Sequence, residues 1–159
     1  MKKMLKVSSV FAMVAGILLI CGGIWGIYFT YKNVARENII TPEDASIPNK
    51  AVRGPMTLKS QGDVIRFHTL ETTGGKTYAE MPRQVAKLDA NGKVILDGNG
   101  KEVMVANDAR NMWITATTLT TALNLGIVTY VFSGLIIFLG LISIWTGSIF
   151  CVLSKKYQE

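Results

Sequence analysis

The chain is poor in the side chains that carry out catalytic and metal chemistry. Its 159 residues include one histidine, His68, and two cysteines, Cys21 and Cys151. Zinc and non-haem iron sites need several histidine, cysteine or carboxylate ligands at suitable spacing. The sequence has no C-x-x-C pair, no phosphate-binding loop and no G-x-S-x-G motif. These absences predict a protein that is not an enzyme and holds no metal or cofactor.

Charge is absent from two long segments. No Asp, Glu, Lys or Arg occurs in Val7–Tyr31 or in Asn111–Ser154. About 20 residues of helix cross the hydrocarbon core of a bilayer, so each segment is long enough to do so. The sequence therefore predicts two transmembrane helices that pack as an antiparallel hairpin, with the lipid bilayer as their surroundings.

The net charge of +6 does not predict nucleic-acid binding. Five of the 17 basic residues lie in the short tails, at positions 2, 3, 6, 155 and 156, and the central part of the chain is nearly neutral. A nucleic-acid footprint would cluster basic residues on a folded face, whereas lysines beside apolar spans mark cytoplasmic ends. We expect a multi-pass protein of the bacterial plasma membrane with both termini in the cytoplasm.

The first uncharged segment has two alternative interpretations. A cleaved signal peptide would share its basic start, but the apolar run is long and no small-x-small cleavage site closes it. Cys21 could belong to a lipoprotein box, although that box requires a small residue where Ile20 stands. A retained anchor fits the segment best.

The second uncharged segment is about twice as long as one span requires. Its last part is densely apolar, but residues 111–127 contain five threonines and two asparagines. We expect these residues to form a helical stalk outside the membrane, continuous with the span and capped by Asn107 or Asp108. An apolar row of Met112, Ala116, Leu119 and Leu123 would pack it on the domain. A second buried span is the alternative.

Small residues recur every seven positions in both spans. A period of seven keeps residues on one helix face, and small residues let membrane helices approach closely. We predict a seam between the two helices, formed by Ser9, Gly16, Gly23, Thr30, Gly126, Ser133, Gly140 and Gly147. Gly22 and Gly26 add a G-x-x-x-G motif that could serve this seam or a partner subunit.

The segment between the spans predicts a small α+β domain. A proline-containing arm is followed by a helix over Thr57–Thr72, with Thr57 as its N-cap and Gly74–Gly75 at its end. The turn sequences Asp89–Gly92 and Asp97–Gly100 separate short apolar strands, which predicts hairpins. They lack the ligand register of a calcium-binding EF-hand.

These predictions divide the chain into six parts. They are a cytoplasmic tail (1–6), transmembrane helix 1 (7–31), an extracytoplasmic α+β domain (32–110), an extracytoplasmic helical stalk (111–127), transmembrane helix 2 (128–153) and a cytoplasmic tail (154–159).

A possible interaction or ligand site is built from four polar residues: Gln61, His68, Glu80 and Arg83. Gln61 and His68 share one face of the predicted helix, and Asp44, Glu80, Arg53 or Arg83 could approach His68. A lone histidine on a small polar helix is typical of a hydrogen-bonding surface or interface residue rather than a catalyst.

Several segments, in order, resemble a group of small two-span membrane proteins of actinobacteria that often carry the name aromatic ring-opening dioxygenase. They are ARENIITPEDASIPNKAVRGP, GGKTYAEMP, LDGNGKEVMV and DARNMWITATTLTTALNLG. Ring opening of that type requires a 2-His-1-carboxylate iron site, and this chain has one histidine. The resemblance therefore implies the two-span architecture and not the activity.

The pattern as a whole predicts a non-enzymatic membrane protein that presents a small outer domain for protein–protein interaction. It would act as an accessory subunit of a membrane complex, through a membrane-protein partner or through self-association. The alternative is an extracytoplasmic ligand-binding or sensing module, with a pocket between the Thr57–Thr72 helix, the arm and the stalk.

Overall fold

In the computed structural model, which describes residues 1–156, two long apolar helices flank a small α+β region. This confirms the predicted architecture at that level. The elements, in order, are α1 (Lys2–Arg36), α2 (Pro55–Thr72), a 3₁₀ turn (Tyr78–Glu80), β1 (Gln84–Ala86), β2 (Met104–Ala106) and α3 (Asp108–Lys156). The last three residues of the predicted 154–159 tail lie outside the described range.

Helices α1 and α3 pack side by side and run in opposite directions. Ser9, near the start of α1, donates its hydroxyl to the carbonyl oxygen of Gly147, near the end of α3, at 2.7 Å. Both helices are long and apolar enough to cross a membrane. Only 11% of the most apolar stretch of each helix is buried, so most of their apolar side chains face outward.

Both helices extend beyond the boundaries that the charge pattern suggested. Helix α1 continues through residues 32–36, and α3 is one 49-residue helix that includes residues 108–110, the stalk (111–127) and the second apolar span. Charged residues at a helix end keep the same backbone hydrogen bonds as apolar ones. The point where charged residues replace apolar ones along the chain therefore marks a change in the environment of the helix, not its end.

Helix α2 begins slightly earlier than predicted, and Thr57 is not its N-cap. Gly54 is the N-cap and Pro55 occupies the first turn, where its missing N–H costs nothing. The Thr57 hydroxyl lies one turn inside and accepts the backbone N–H groups of Gly54 and Arg53, at 3.2 and 3.0 Å. The helix end lies where expected, followed by Gly74 and Gly75 at positive φ.

Side-chain hydroxyls hold the arm (residues 37–54) in place. The buried Thr41 hydroxyl bonds the backbone of Ile47 and Lys50 within the arm. Ser60 of α2, also buried, accepts the Ile47 N–H and the Ser46 hydroxyl, each at 3.0 Å. The arm is therefore attached to α2 by polar contacts as well as by packing.

The segment between β1 and β2 contains two tandem turns that form an eight-residue repeat. The N–H of Lys87 donates to the Val103 carbonyl, that of Val103 to Ile95, and that of Ile95 to Lys87, at 2.7 to 2.9 Å. These three residues are eight positions apart and close a triangle of backbone bonds. The sequence predicted the two turns, but not the triangle that joins them.

Asp89 and Asp97 close the two turns. In each, one carboxylate oxygen accepts two backbone N–H groups, at 2.8 to 2.9 Å. These bonds explain why aspartate recurs in the turns without any register for calcium, because the carboxylate oxygen serves the local backbone. Glycine recurs because Gly92 and Gly100 adopt positive φ.

The core of the central region (residues 37–107) forms where the arm and α2 meet α3. Val52, Leu58 and Leu123 make up the buried cluster. From the predicted apolar row, Ala116 and Leu123 are buried, but Met112 and Leu119 are exposed. Trp113 is buried in the place expected for Met112, because the packed face of α3 follows the row of Trp113, Ala116 and Leu123, at i, i+3 and i+10.

Trp113 extends this packing to the loop after α2. Its side chain is buried, and its indole N–H donates to the Lys76 carbonyl oxygen at 2.9 Å and lies 3.3 Å from the Thr73 hydroxyl. At the adjoining start of α3, the side-chain oxygen of Asn107 accepts the Arg110 N–H at 3.3 Å. Of the two residues considered as its cap, Asn107 takes that role.

Candidate interaction surfaces

Seven of the eight small residues predicted to form a seam lie where α1 contacts α3, whereas Gly126 lies nearest to α2. These seven are buried, and Gly126 is half-buried against Leu58. A methyl group added at Gly16 would lie 2.6 Å from the Gly140 carbonyl oxygen, and one at Gly23 would lie 2.7 Å from the Ser133 carbonyl. The two backbones therefore touch with no room for a side chain between them.

The two glycines of the G-x-x-x-G motif of α1 have different surroundings. A methyl group at Gly26 would collide with the Ser133 side chain, whereas one at Gly22 would meet nothing within 4 Å. Gly22 is exposed. The two glycines therefore do not act together in the contact between α1 and α3.

His68 pairs with Asp44 of the arm. Its Nε2 lies 2.5 Å from a carboxylate oxygen of Asp44, and both side chains are about half exposed. The hydrogen bond from His68 holds the pKa of the Asp44 carboxyl below its ordinary value. Of the residues that could approach His68, Asp44 does so, while the guanidinium of Arg53 bonds the Tyr31 hydroxyl instead.

The other predicted polar residues have separate surroundings. Gln61 is partly buried, and its side-chain oxygen has no hydrogen-bond partner among the described residues. Glu80 bonds the backbone and hydroxyl of Thr77, at 2.6 and 2.7 Å, and the backbone bond in particular lowers its pKa. The Arg83 carbonyl oxygen accepts the Asn107 N–H. No hydrogen bond or ion pair within residues 1–156 joins Glu80 or Arg83 to His68.

The place foreseen for a ligand pocket is filled. Val52 of the arm, Leu58 of α2 and Leu123 of the stalk meet there and are at most 8% exposed. Beside it, between the arm and α2, lies a shallow cavity of about 130 Å³ whose lining includes Asp44, Ser60 and Phe67. This cavity does not reach the stalk.

A larger groove runs along the stalk on another side of α3. Its volume is about 560 Å³, and its lining is almost entirely apolar. Tyr78 forms one wall, and the guanidinium of Arg110 stacks 3.6 Å from the centre of that ring. The α3 residues of the lining are Trp113, Ile114, Thr117, Thr118, Thr121, Ala122 and Leu125.

Sequence reasoning identified the threonine-rich stalk but missed the groove. Its other wall, Tyr78, lies far from the stalk in sequence, and only the fold brings the two together. The absence of charge from the whole stalk was the one feature of the sequence that could have indicated an apolar groove there.

A tyrosine–arginine collar joins the arm to both long helices. The Tyr130 hydroxyl of α3 donates to the Arg53 carbonyl oxygen at 2.6 Å. The Arg53 guanidinium donates to the Tyr31 hydroxyl of α1 at 3.0 Å and lies over the Tyr31 ring. The collar therefore fixes the central region to the ends of the apolar helix pair.

No protein-family model matches the chain, and no curated protein or solved structure matches it. Within residues 1–156, no group of three or more histidine, cysteine or acidic residues is placed to hold a metal ion. The function of the chain is therefore inferred from its contacts, charges and exposed surfaces.

Proposed function

We propose that the chain is a non-enzymatic integral protein of the bacterial plasma membrane. It crosses the bilayer twice, with both termini in the cytoplasm and the central region outside. The support is the exposure of its most apolar helices: Phe11 of α1 is 76% exposed and Phe132 of α3 is 61% exposed. Water-soluble proteins rarely expose apolar surface of this extent, whereas lipid requires it.

The dimensions of the helix pair agree with this placement. The small-residue contact runs along α1 from Ser9 to Thr30, a rise of about 31 Å at 1.5 Å per residue. The hydrocarbon core is about 30 Å thick. Lysines lie beyond one end, and the collar of Tyr31, Arg53 and Tyr130 lies beyond the other, where aromatic rings favour the interface.

The membrane helices hold the central region for contact with another protein, as an accessory subunit of a membrane complex or by self-association. One observation carries this proposal: the exposed face of the stalk has no charge. Helix α2, nearby, exposes Lys59, Asp63 and Arg66, as a water-facing helix does. Depletion of charge is characteristic of the core of a protein interface.

The second candidate is a ligand-binding or sensing module. The cavity beside the Asp44–His68 pair favours it, because the carboxylates of Asp44 and Asp63 line the cavity and could bind a small polar ligand. Its volume of about 130 Å³ lies below the roughly 300–1,000 Å³ of small-molecule sites. The place where this hypothesis expected a pocket is occupied by the core, so the interaction role has the better support.

Cross-linking in native membranes tests the interaction role. The tagged full-length chain is treated with an amine-reactive reagent that reaches exposed lysines of the central region, such as Lys59 and Lys101, and is then purified in mild detergent. We expect a discrete adduct larger than the monomer. A known complex in the same membranes serves as the positive control. If that complex is cross-linked and this chain is recovered only as a monomer, the proposal is overturned.

A further inference from the structure

One face of α3 is exposed and uncharged along nearly the whole helix. It begins with Ile114, Thr118, Thr121 and Leu125, and steps of three and four residues continue the same face to Leu153. This alternation is the a/d pattern of a heptad repeat. Ile114 is 52% exposed and Leu125 61% exposed. We call this face the α3 stripe.

Two of the three threonines of the stripe bond to their own helix and do not make it polar. The Thr118 hydroxyl donates to the Ile114 carbonyl oxygen at 2.8 Å, and the Thr146 hydroxyl donates to that of Ile142 at 2.9 Å. Because these hydroxyls are satisfied by their own helix, their methyl groups are free to form a packing surface. A stripe of this kind can continue from water into lipid without a charged residue.

The stripe points away from the contacts already made by α3. On a helix of 3.6 residues per turn, it lies about 130° around the axis from the face of Ser133, Gly140 and Gly147 that packs on α1. Four of the eight groove-lining residues belong to the stripe. The stripe therefore forms half of the groove lining in the stalk.

We propose that the stripe binds the stripe of a second copy of this chain, so that two α3 helices run parallel from the stalk through the bilayer. A partner that covers the whole stripe must itself be a helix that crosses the membrane and continues outside it without charge. Helix α3 has this length and composition. The proposal deepens the proposed function by naming the partner, and it rests on that function.

Symmetry, charge and size are compatible with this pairing. Two copies inserted with the same topology are related by a two-fold axis along the membrane normal, which brings the same face of each helix together. No like charges oppose each other, since Asn111–Ser154 contains none. A stripe about 58 Å long and roughly 10 Å wide gives about 600 Å² per copy, close to the roughly 800 Å² of a standard interface.

Disulfide cross-linking of the full-length chain in membranes tests the pairing. Two copies with different tags are co-expressed after Cys21→Ser and Cys151→Ser, and each carries one new cysteine. Stripe variants Ile114→Cys, Thr118→Cys and Leu125→Cys are compared with Met112→Cys and Leu119→Cys. Leu119 is 50% exposed, close to the 52% of Ile114, but it lies on another face. We expect at least about fivefold more doubly tagged dimer from the stripe variants, because a and d positions meet across the axis.

The outcomes separate this proposal from the more general one. Equal yields at stripe and control positions, or no doubly tagged product, overturn the pairing of two copies. If the stripe cysteines instead cross-link to a different polypeptide, the pairing is wrong while the interaction role stands. If amine cross-linking also finds only monomer, both proposals fail.

Discussion

At the scale of single residues, identical side chains have different roles because their surroundings differ. Gly16 and Gly22 lie six residues apart on the same helix, yet one touches the backbone of α3 and the other touches nothing. Close approach of backbones increases the van der Waals packing that helps to associate helices in lipid. Glycine is therefore required at the first position and replaceable at the second.

Replacing Gly16 by alanine should destabilise the helix pair. The added methyl group would lie 2.6 Å from the Gly140 carbonyl oxygen, so the helices must separate, at a cost of about 1–3 kcal/mol. Unfolding by a denaturing detergent, followed by tryptophan fluorescence, measures the free energy of unfolding. The matched control is Gly22→Ala, which should be neutral or slightly stabilising. Equal losses for both variants would contradict the close contact.

The Asp44–His68 pair makes a prediction about pH. The hydrogen bond from His68 lowers the pKa of the Asp44 carboxyl below 3.8 in the folded chain. A carboxyl whose pKa is lowered by folding stabilises the fold fully when the pH is above its pKa in the unfolded chain. That contribution is lost as the pH falls through its pKa in the folded chain. The contribution of Asp44 should therefore be constant above about pH 4 and disappear at lower pH.

Carboxyl titration by NMR, in detergent, measures this shift. We expect the pKa of Asp44 to rise toward its ordinary value in His68→Ala and to stay lowered in Glu71→Ala, a control on the same helix. An unchanged Asp44 pKa in the histidine variant would mean that the pair does not form in solution.

At the scale of elements, α3 is the scaffold of the chain. One continuous helix packs on α1 through its small residues, on α2 through Leu123, and on the loop after α2 through Trp113. The β-hairpin segment attaches to it through Asn107, whose side-chain N–H group donates to the Pro82 carbonyl oxygen at 3.0 Å. Every part of the central region is therefore positioned relative to α3.

Trp113→Phe should loosen the loop after α2. The variant loses the indole N–H bond to the Lys76 carbonyl oxygen and part of a buried ring. The Thr73 hydroxyl still donates to that carbonyl, so we expect a loss of about 1–2 kcal/mol in the free energy of unfolding. The same detergent titration, followed by circular dichroism, measures it. Trp145→Phe is the control, because Trp145 is 71% exposed; equal effects would mean that Trp113 is not a structural anchor.

At the scale of the whole molecule, the chain is a hairpin with two kinds of exposed surface. The apolar helix pair suits lipid, and the central region, with its charged α2 and polar turns, suits water. The collar of Tyr31, Arg53 and Tyr130 lies between the two surfaces. Under the proposed topology, this boundary coincides with the outer face of the membrane.

Labelling with a membrane-impermeant maleimide tests that topology. In the background without native cysteines, Asn99→Cys in an exposed turn should react in intact spheroplasts. Lys3→Cys, at the start of α1, should react only after the membrane is permeabilised, because lysines favour the cytoplasmic side. The opposite pattern would invert the topology, and labelling of both without permeabilisation would contradict a two-span protein.

Local patterns predicted much of the fold. The uncharged runs indicated both long helices, the aspartate–glycine sequences indicated the turns, and the Asn107–Asp108 sequence indicated the start of α3. Thr57 was wrongly assigned as an N-cap because Gly54 has no side chain to suggest that role. The polar residues predicted as one site do not bond to one another within residues 1–156. Glu80 bonds to its near neighbour Thr77, whereas His68 bonds to Asp44, which is distant in the sequence.

Hydropathy and side-chain period depend only on the order of the residues. The apolar helices, their small-residue faces and the tight turns could therefore be deduced from the sequence alone. Four features join residues that lie eight or more positions apart in the chain: the partner of His68, the filled junction around Leu58 and Leu123, the triangle of Lys87, Ile95 and Val103, and the groove beside Tyr78. Such contacts depend on how the elements pack in three dimensions, and packing is decided by the shape and volume of every neighbouring side chain together.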